Sequence, residues 1–317
     1  MSTAAVPWQR SASATLRVAD PRRALQLALA ALWLVDGILQ FQPYMFTPAF
    51  GRDVLAPSAA GNPSFVAAPI TRVADFVTRH PAPTNAAFAA TQILLALGIA
   101  WRPLLRPALA ASIVWALGVW WLGEGLGGIL TGGAGPLLGG PGAALLYAVL
   151  AVLVWPTGPE EVRRSVAVDR LGSRGAAGLW LALWLALAGF AVDATSRSAA
   201  GLRNAISGMS GGRPAWLAAI GNDAASVCGH HSTTVCVFVG ALLALIALAV
   251  VGPPPALRLA VACALITAAA IWLFAEALGG LAGGQSTDPN SGPLLALIAL
   301  AYWPGTTAAR RTAAGPT

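Results

Sequence analysis

Eight apolar runs divide the chain, at residues 24–42, 85–101, 107–123, 141–156, 176–194, 234–251, 257–275 and 292–304. A helix needs about 20 apolar residues to cross a bilayer's hydrocarbon. The pattern therefore predicts an all-α integral membrane protein with about eight transmembrane helices. The fourth and eighth runs are short; extension into flanking residues or local thinning of the bilayer would accommodate them. Two further stretches, 64–78 and 214–227, are only moderately apolar and read as interfacial or re-entrant segments.

The runs fall into two sets of four, and the sequence repeats accordingly. Residues 120–128 line up with 272–280, so that Glu124 falls on Glu276 and Gly127-Gly128 on Gly279-Gly280. A Gly-rich loop and a Pro (Pro141, Pro289) follow each, and each half closes on Trp-Pro, at Trp155-Pro156 and Trp303-Pro304. Residues 70–80 align with 220–230 without a gap, matching Ile70, Ala74, Val77 and His80 to Ile220, Ala224, Val227 and His230. Asp36 stands opposite Asp193 in a shorter match. Four spans per half is an even number, so the two units are expected to run parallel, related by an axis along the membrane normal. The expected organisation is a disordered cytoplasmic tail (1–21), a first four-helix unit (22–157), a cytoplasmic linker (158–175), a second four-helix unit (176–305) and a cytoplasmic tail (306–317).

Composition agrees. Of the 317 residues 57% are hydrophobic and 10% charged, against about 25% charged in soluble domains. All nineteen basic residues are Arg. They form no stripe of the kind that binds nucleic acid, and they lie beside the apolar runs as topology signals. With eight spans, thirteen fall on one side and six on the other. The positive-inside rule then predicts a multi-pass cell-membrane protein with both termini cytoplasmic and the lipid bilayer as its partner.

The segment from Arg22-Arg23 to Leu39, and the helix from Gln92 to Gly98-Ile99-Ala100-Trp101-Arg102, resemble the DoxX/DoxD-like membrane proteins. The resemblance covers about residues 22–128 and reaches the second half only through the repeat, which lacks the Gly-Ile-Ala-Trp-Arg ending. It implies a small four-helix unit and a link to thiosulfate or thiol oxidation with quinone as acceptor. Quinone is thus the cofactor it suggests, and a membrane redox partner or a second copy of the chain the protein partner.

Each half places an Asp, a His and a Glu in the outer part of the membrane: Asp36, His80 and Glu124, then Asp193, His230 and Glu276. Each Glu lies eighteen residues past an Arg, or about 27 Å from the inner boundary at about 1.5 Å per residue. Acids on spans are functional candidates by default, and a set of this kind suits proton transfer or ligand binding. The plain alternative is that the Glu residues cap helix ends and the His residues sit in wet loops. Cys228 and Cys236 bracket an outer loop of the second half. A disulfide is the first expectation there. A metal site with His230 and His231 fits no standard spacing, and a redox dithiol is a third option. The Gly-rich loops lack the spacing and Lys of a phosphate cradle, and 287–292 reads as a turn.

Three functions follow as expectations: quinone- or thiol-linked proton and electron handling near the outer face; a transporter or channel for a small solute or metal ion, with its pathway between the repeats; and an assembly partner without chemistry of its own.

Overall fold

The computed structural model describes residues 20–157, 164–193, 198–210 and 213–304. The described residues are all-helical, without strands. The eight apolar runs become α1 (Pro21–Leu39), α3 (Pro81–Ala100), α4 (Leu105–Leu122), α5 (Ala143–Leu153), α6 (Val166–Val192), α9 (Ser232–Leu248), α10 (Pro254–Ala270) and α11 (Ser291–Ala301). Between them lie three helices on the loop segments: α2 (Ser64–Arg79), α7 (Ala199–Ser210) and α8 (Ala215–His230). Five helical segments are long and apolar enough to cross a membrane: Pro81–Ala100, Arg102–Leu122, Val166–Val192, Ser232–Val251 and Pro254–Gly283. The apolar helices α5 and α11 are shorter, at 11 residues each. α1 is 19 residues long but carries Arg22, Arg23 and Asp36.

α1 packs on α3 and α6 on α9; α4 packs on α5 and α10 on α11; α5 and α11 meet in the middle. One apolar core runs through all eight. Several polar groups along it are paired. Trp33 Nε1 donates to Ser112 Oγ (2.8 Å) and Gln26 Nε2 to the Val154 carbonyl (2.8 Å). Arg22 and Arg23 close the opposite end by donating to the carbonyls of Thr157 (3.3 Å), Ile99 (3.1 Å) and Ala100. They satisfy carbonyls left over where helices stop.

The segment expected to be interfacial or re-entrant at 64–78 is the amphipathic α2. It buries Val66, Ile70, Ala74 and Val77 and exposes Phe65 and Phe76, the i, i+4 stripe of a surface helix. The 214–227 stretch is α8. The linker expected at 158–175 is helical from Val166 onward: Ser165 caps it by accepting from Val168 N (3.2 Å), and the helix breaks at Gly172. The expected tails lie outside the described residues, apart from Asp20 and Pro21.

Candidate functional site

After α4 and after α10 the backbone makes the same unusual turn. Gly125, Leu126, Gly127 and Gly128 all have positive φ, as do Ala277, Leu278, Gly279 and Gly280. A left-handed turn costs roughly 1–2 kcal/mol per non-Gly residue, so it persists only where the surroundings fix it. Here close approach fixes it. A Cβ on Gly127 would collide with the Pro141 carbonyl, and one on Gly279 with the Pro289 carbonyl. The same two carbonyls accept from Trp120 Nε1 (2.7 Å) and Trp272 Nε1 (2.8 Å). Each turn thus aims its glutamate at the N-terminus of the short helix that follows.

The two glutamates then differ. Glu276 is 1% exposed. Its Oε1 accepts from Ser291 N (3.3 Å) and the Ser291 hydroxyl, and its Oε2 from Gly292 N (3.0 Å). Both oxygens are engaged, and Glu276 works as a clasp on the positive end of α11. Glu124 Oε1 accepts from Ala144 N (3.1 Å) at the start of α5, but its buried Oε2 has no hydrogen-bond partner among the described residues.

Glu124 also lines a cavity of about 870 Å³ bounded by α1, α2, α3, α4 and α5, with Phe50, Val54 and Leu55 from the loop before α2. Its walls are largely apolar and aromatic, including Trp33, Phe50, Phe76, Phe88 and Trp115; Phe88 and Trp115 meet edge to face at 5.7 Å. Among the lining residues Val114 and Phe76 are exposed, at 73% and 53%, so the cavity opens sideways between α2, α3 and α4. Its other end is polar. Asp36, 2% exposed, lies there with Tyr147, Gln40, Gln92, Glu124 and Asp288. Asp36 Oδ1, Gln40 Oε1, Gln92 Oε1, Glu124 Oε2, Tyr147 Oη and Trp115 Nε1 are buried without hydrogen-bond partners among the described residues. Asp36 and Tyr147 lie within reach to pair with each other; the oxygens of Gln40, Gln92 and Glu124 and the Trp115 N–H remain, and an unmade buried hydrogen bond costs roughly 1–3 kcal/mol. Mostly apolar walls with a few convergent polar groups are the usual make-up of a small-molecule site.

Asp288 comes from the loop before α11, in the other half of the sequence, and is within electrostatic reach of Asp36, Glu124, Tyr147 and Glu276. Its carboxylate accepts from Asn290 N (2.7 Å) and the Thr287 hydroxyl (2.8 Å). Burial pushes its pKa above the ordinary carboxylate value, against the pull of those two donors. Glu124 and Asp288 also line a second, glycine-walled cavity of about 320 Å³ formed by the two loops. The pair therefore stands between the larger cavity and this vestibule.

Of the residues singled out in the sequence, Asp36 and Glu124 come together here; the others do not. Asp193 is exposed at the end of α6, past its last turn, and lines neither cavity. His80 is exposed between α2 and α3, against the Phe76 ring (5.0 Å). His230 and His231 are exposed where α8 turns into α9, with His230 Nδ1 2.8 Å from the Ser226 carbonyl. Among the described residues no three of His, Cys, Asp and Glu converge to hold a metal ion. The disulfide expectation is corrected as well. Cys228 and Cys236 are not joined by a disulfide; they are carried on separate helices and face a common apolar cluster with Leu202, Ile206 and Ile271.

Asp288, Tyr147, Gln40 and Gln92 were not among the sequence candidates. Tyr147 and Gln92 carried a signal, as polar-tipped side chains within apolar runs. Asp288 carried none beyond its turn. Comparison of the chain with models of known families, with curated proteins and with solved structures gives no match.

Proposed function

We propose that this chain is a multi-pass membrane protein that binds one bilayer-partitioned small molecule, with an apolar body and a hydrogen-bond-donating head, in the cavity of its first half. The observation that carries this reading is the set of unpartnered groups at the polar end. Three are acceptor oxygens (Gln40, Gln92, Glu124), Asp36 and Tyr147 can pair with each other, and Trp115 is a donor. An occupant that brings hydrogens satisfies the acceptor oxygens. The sideways opening suits entry from lipid, and the aromatic walls suit a planar ring. A reduced, hydroxyl-bearing ring such as a hydroquinone meets both demands better than its oxidised form, which carries only acceptors. Among the expected functions this favours the quinol-linked one, with Asp36 and Glu124 as the groups positioned to take hydroxyl protons.

The accompanying architecture is eight spans in two parallel four-helix units, α1 with α3–α5 and α6 with α9–α11. α2, α7 and α8 lie at the outer surface and both termini are cytoplasmic. The matching helix partners, the paired left-handed turns and the paired Trp-to-carbonyl hydrogen bonds support the duplication. The Arg distribution supports the orientation. The transport reading, with a pathway between the units, has less support. α5 and α11 meet there within an apolar core that includes Leu146, Leu150, Leu294 and Ile298, all fully buried.

The test is calorimetric titration of the protein in nanodiscs with a decyl-substituted hydroquinone and with its dimethyl ether. The ether keeps the shape and loses both donors. Saturable binding of the hydroquinone, with the ether at least about tenfold weaker, is expected; a tenfold ratio is about 1.4 kcal/mol, one good hydrogen bond. Equal affinities, or no saturable binding, would overturn the proposal.

A further inference from the structure

The two halves exchange the loops that precede α5 and α11. The loop of the first half sends Leu137 and Leu138 into the apolar cluster of the second, where they pack with Leu202, Ile206, Cys236 and Ile271. That cluster lies among α7, α8, α9 and the end of α10, the region that corresponds to the cavity of the first half. The loop of the second half returns the exchange: Gln42 Nε2 donates to the Ser286 carbonyl (2.9 Å), and Thr287 and Asp288 line the first-half cavity. Aligned on Pro141 and Pro289, Leu-Leu-Gly-Gly in one loop stands against Gln-Ser-Thr-Asp in the other. The apolar loop fills the space it enters. The polar loop supplies a carboxylate to the space it enters.

We infer that Asp288, delivered across from the second half, is a ligand-binding residue that pairs with Glu124 to recognise the donor-bearing head, so that the chain holds one site built by both halves. Three observations converge on it. Asp288 lines the same cavity as Asp36 and Glu124. It shares the glycine-walled vestibule with Glu124. It is the charged group of the second half that lines this cavity, which Glu276 does not. Carboxylates accept hydrogen bonds only, so a head with two hydroxyl or amine hydrogens bridges Glu124 and Asp288. A head without them brings no further donor to either acid.

The inference rests on the proposed site, and the same two probes separate their failures. In the wild-type protein the decylhydroquinone is expected to bind once per chain. In Asp288→Ala the preference for the hydroquinone over its dimethyl ether should fall at least fivefold, toward parity. Glu124→Gln should do the same, and Glu276→Gln should keep the preference. A merely structural lesion lowers both probes together and leaves their ratio unchanged, so an unchanged ratio in Asp288→Ala overturns the inference even if binding weakens. Asp288→Asn, which retains an acceptor for Asn290 N, serves where the Ala variant does not fold and is held to the same ratio. Two sites per wild-type chain would overturn the inference while leaving the site itself standing. A wild-type protein that binds neither probe defeats the site reading first.

Discussion

Glu276→Ala is the perturbation whose size follows most directly from the geometry. It removes the acceptors of Gly292 N and of the Ser291 hydroxyl, in a pocket where Glu276 and Ser291 are each 1% exposed. Ser291 N keeps a second acceptor, Asn290 Oδ1, at 2.8 Å, so it is not orphaned. One stranded backbone N–H costs about 1–3 kcal/mol, and losing the acidic group at a helix N-terminus about 0.3–1 kcal/mol more. The expected loss is therefore about 1–4 kcal/mol. Glu276→Gln keeps one acceptor oxygen but turns an amide toward a backbone donor, and should lose about half as much. Glu124→Ala removes an acceptor at the start of α5, that of Ala144 N, and should cost about 1 kcal/mol, as lost helix caps do. Unfolding in mixed micelles of rising dodecyl sulfate fraction, followed by far-UV circular dichroism, gives these differences. The order should reverse in probe binding, where Glu124 matters and Glu276 does not. Wild-type stability in Glu276→Ala, or equal losses at the two glutamates, would refute the division of labour between them.

Other outcomes are equally specific. Gly127→Ala and Gly279→Ala put a Cβ against a backbone carbonyl at positive φ and should abolish or severely reduce folded protein on size exclusion. Gly178→Ala on α6, with nothing within 4 Å of its Cβ, should be neutral or slightly stabilising. Burial raises the Asp288 pKa, so the native state holds this proton to higher pH than the unfolded chain. Its contribution to stability therefore falls as pH rises above the ordinary value of about 3.9. Asp288→Asn should accordingly gain stability relative to wild type between pH 4 and 7, and a constant difference in unfolding free energy across that range would contradict the burial argument. Mass spectrometry after alkylation under denaturing, non-reducing conditions should find Cys228, Cys236 and Cys263 all alkylated.

The helices were legible because apolar runs long enough to bury themselves have few alternatives. Their ends moved by a few residues: α3 begins at Pro81 because Pro suits a first helical turn, and α5 begins at Ala143 beyond the loop that holds Glu124. The Glu pair was legible through the repeat, but its split roles were not. Ser291 and Asn290 replace Ala143 and Gly142 in the second copy, and the consequence appears only when the loop folds back. Asp36 was legible as an acid inside an apolar run. The match of Asp193 to Asp36 was too short to carry a role, and the helix ends before Asp193. Asp288 is the instructive case. It does make the local turn its sequence suggests, bonding Asn290 N and Thr287. The same turn also carries it into the other half, a long-range placement that no local pattern encodes.

The central claim is that a donor-bearing small molecule occupies the first-half cavity, and a cavity-filling variant tests it without touching an acid. Gly118 lines that cavity, and nothing lies within 4 Å of a Cβ built there. Gly118→Phe should therefore fold and melt like wild type while its ring takes the ligand's place. Calorimetric titration of this variant in nanodiscs with the decylhydroquinone is expected to show no saturable binding. Wild-type affinity in a folded Gly118→Phe protein would place the ligand elsewhere and contradict the account.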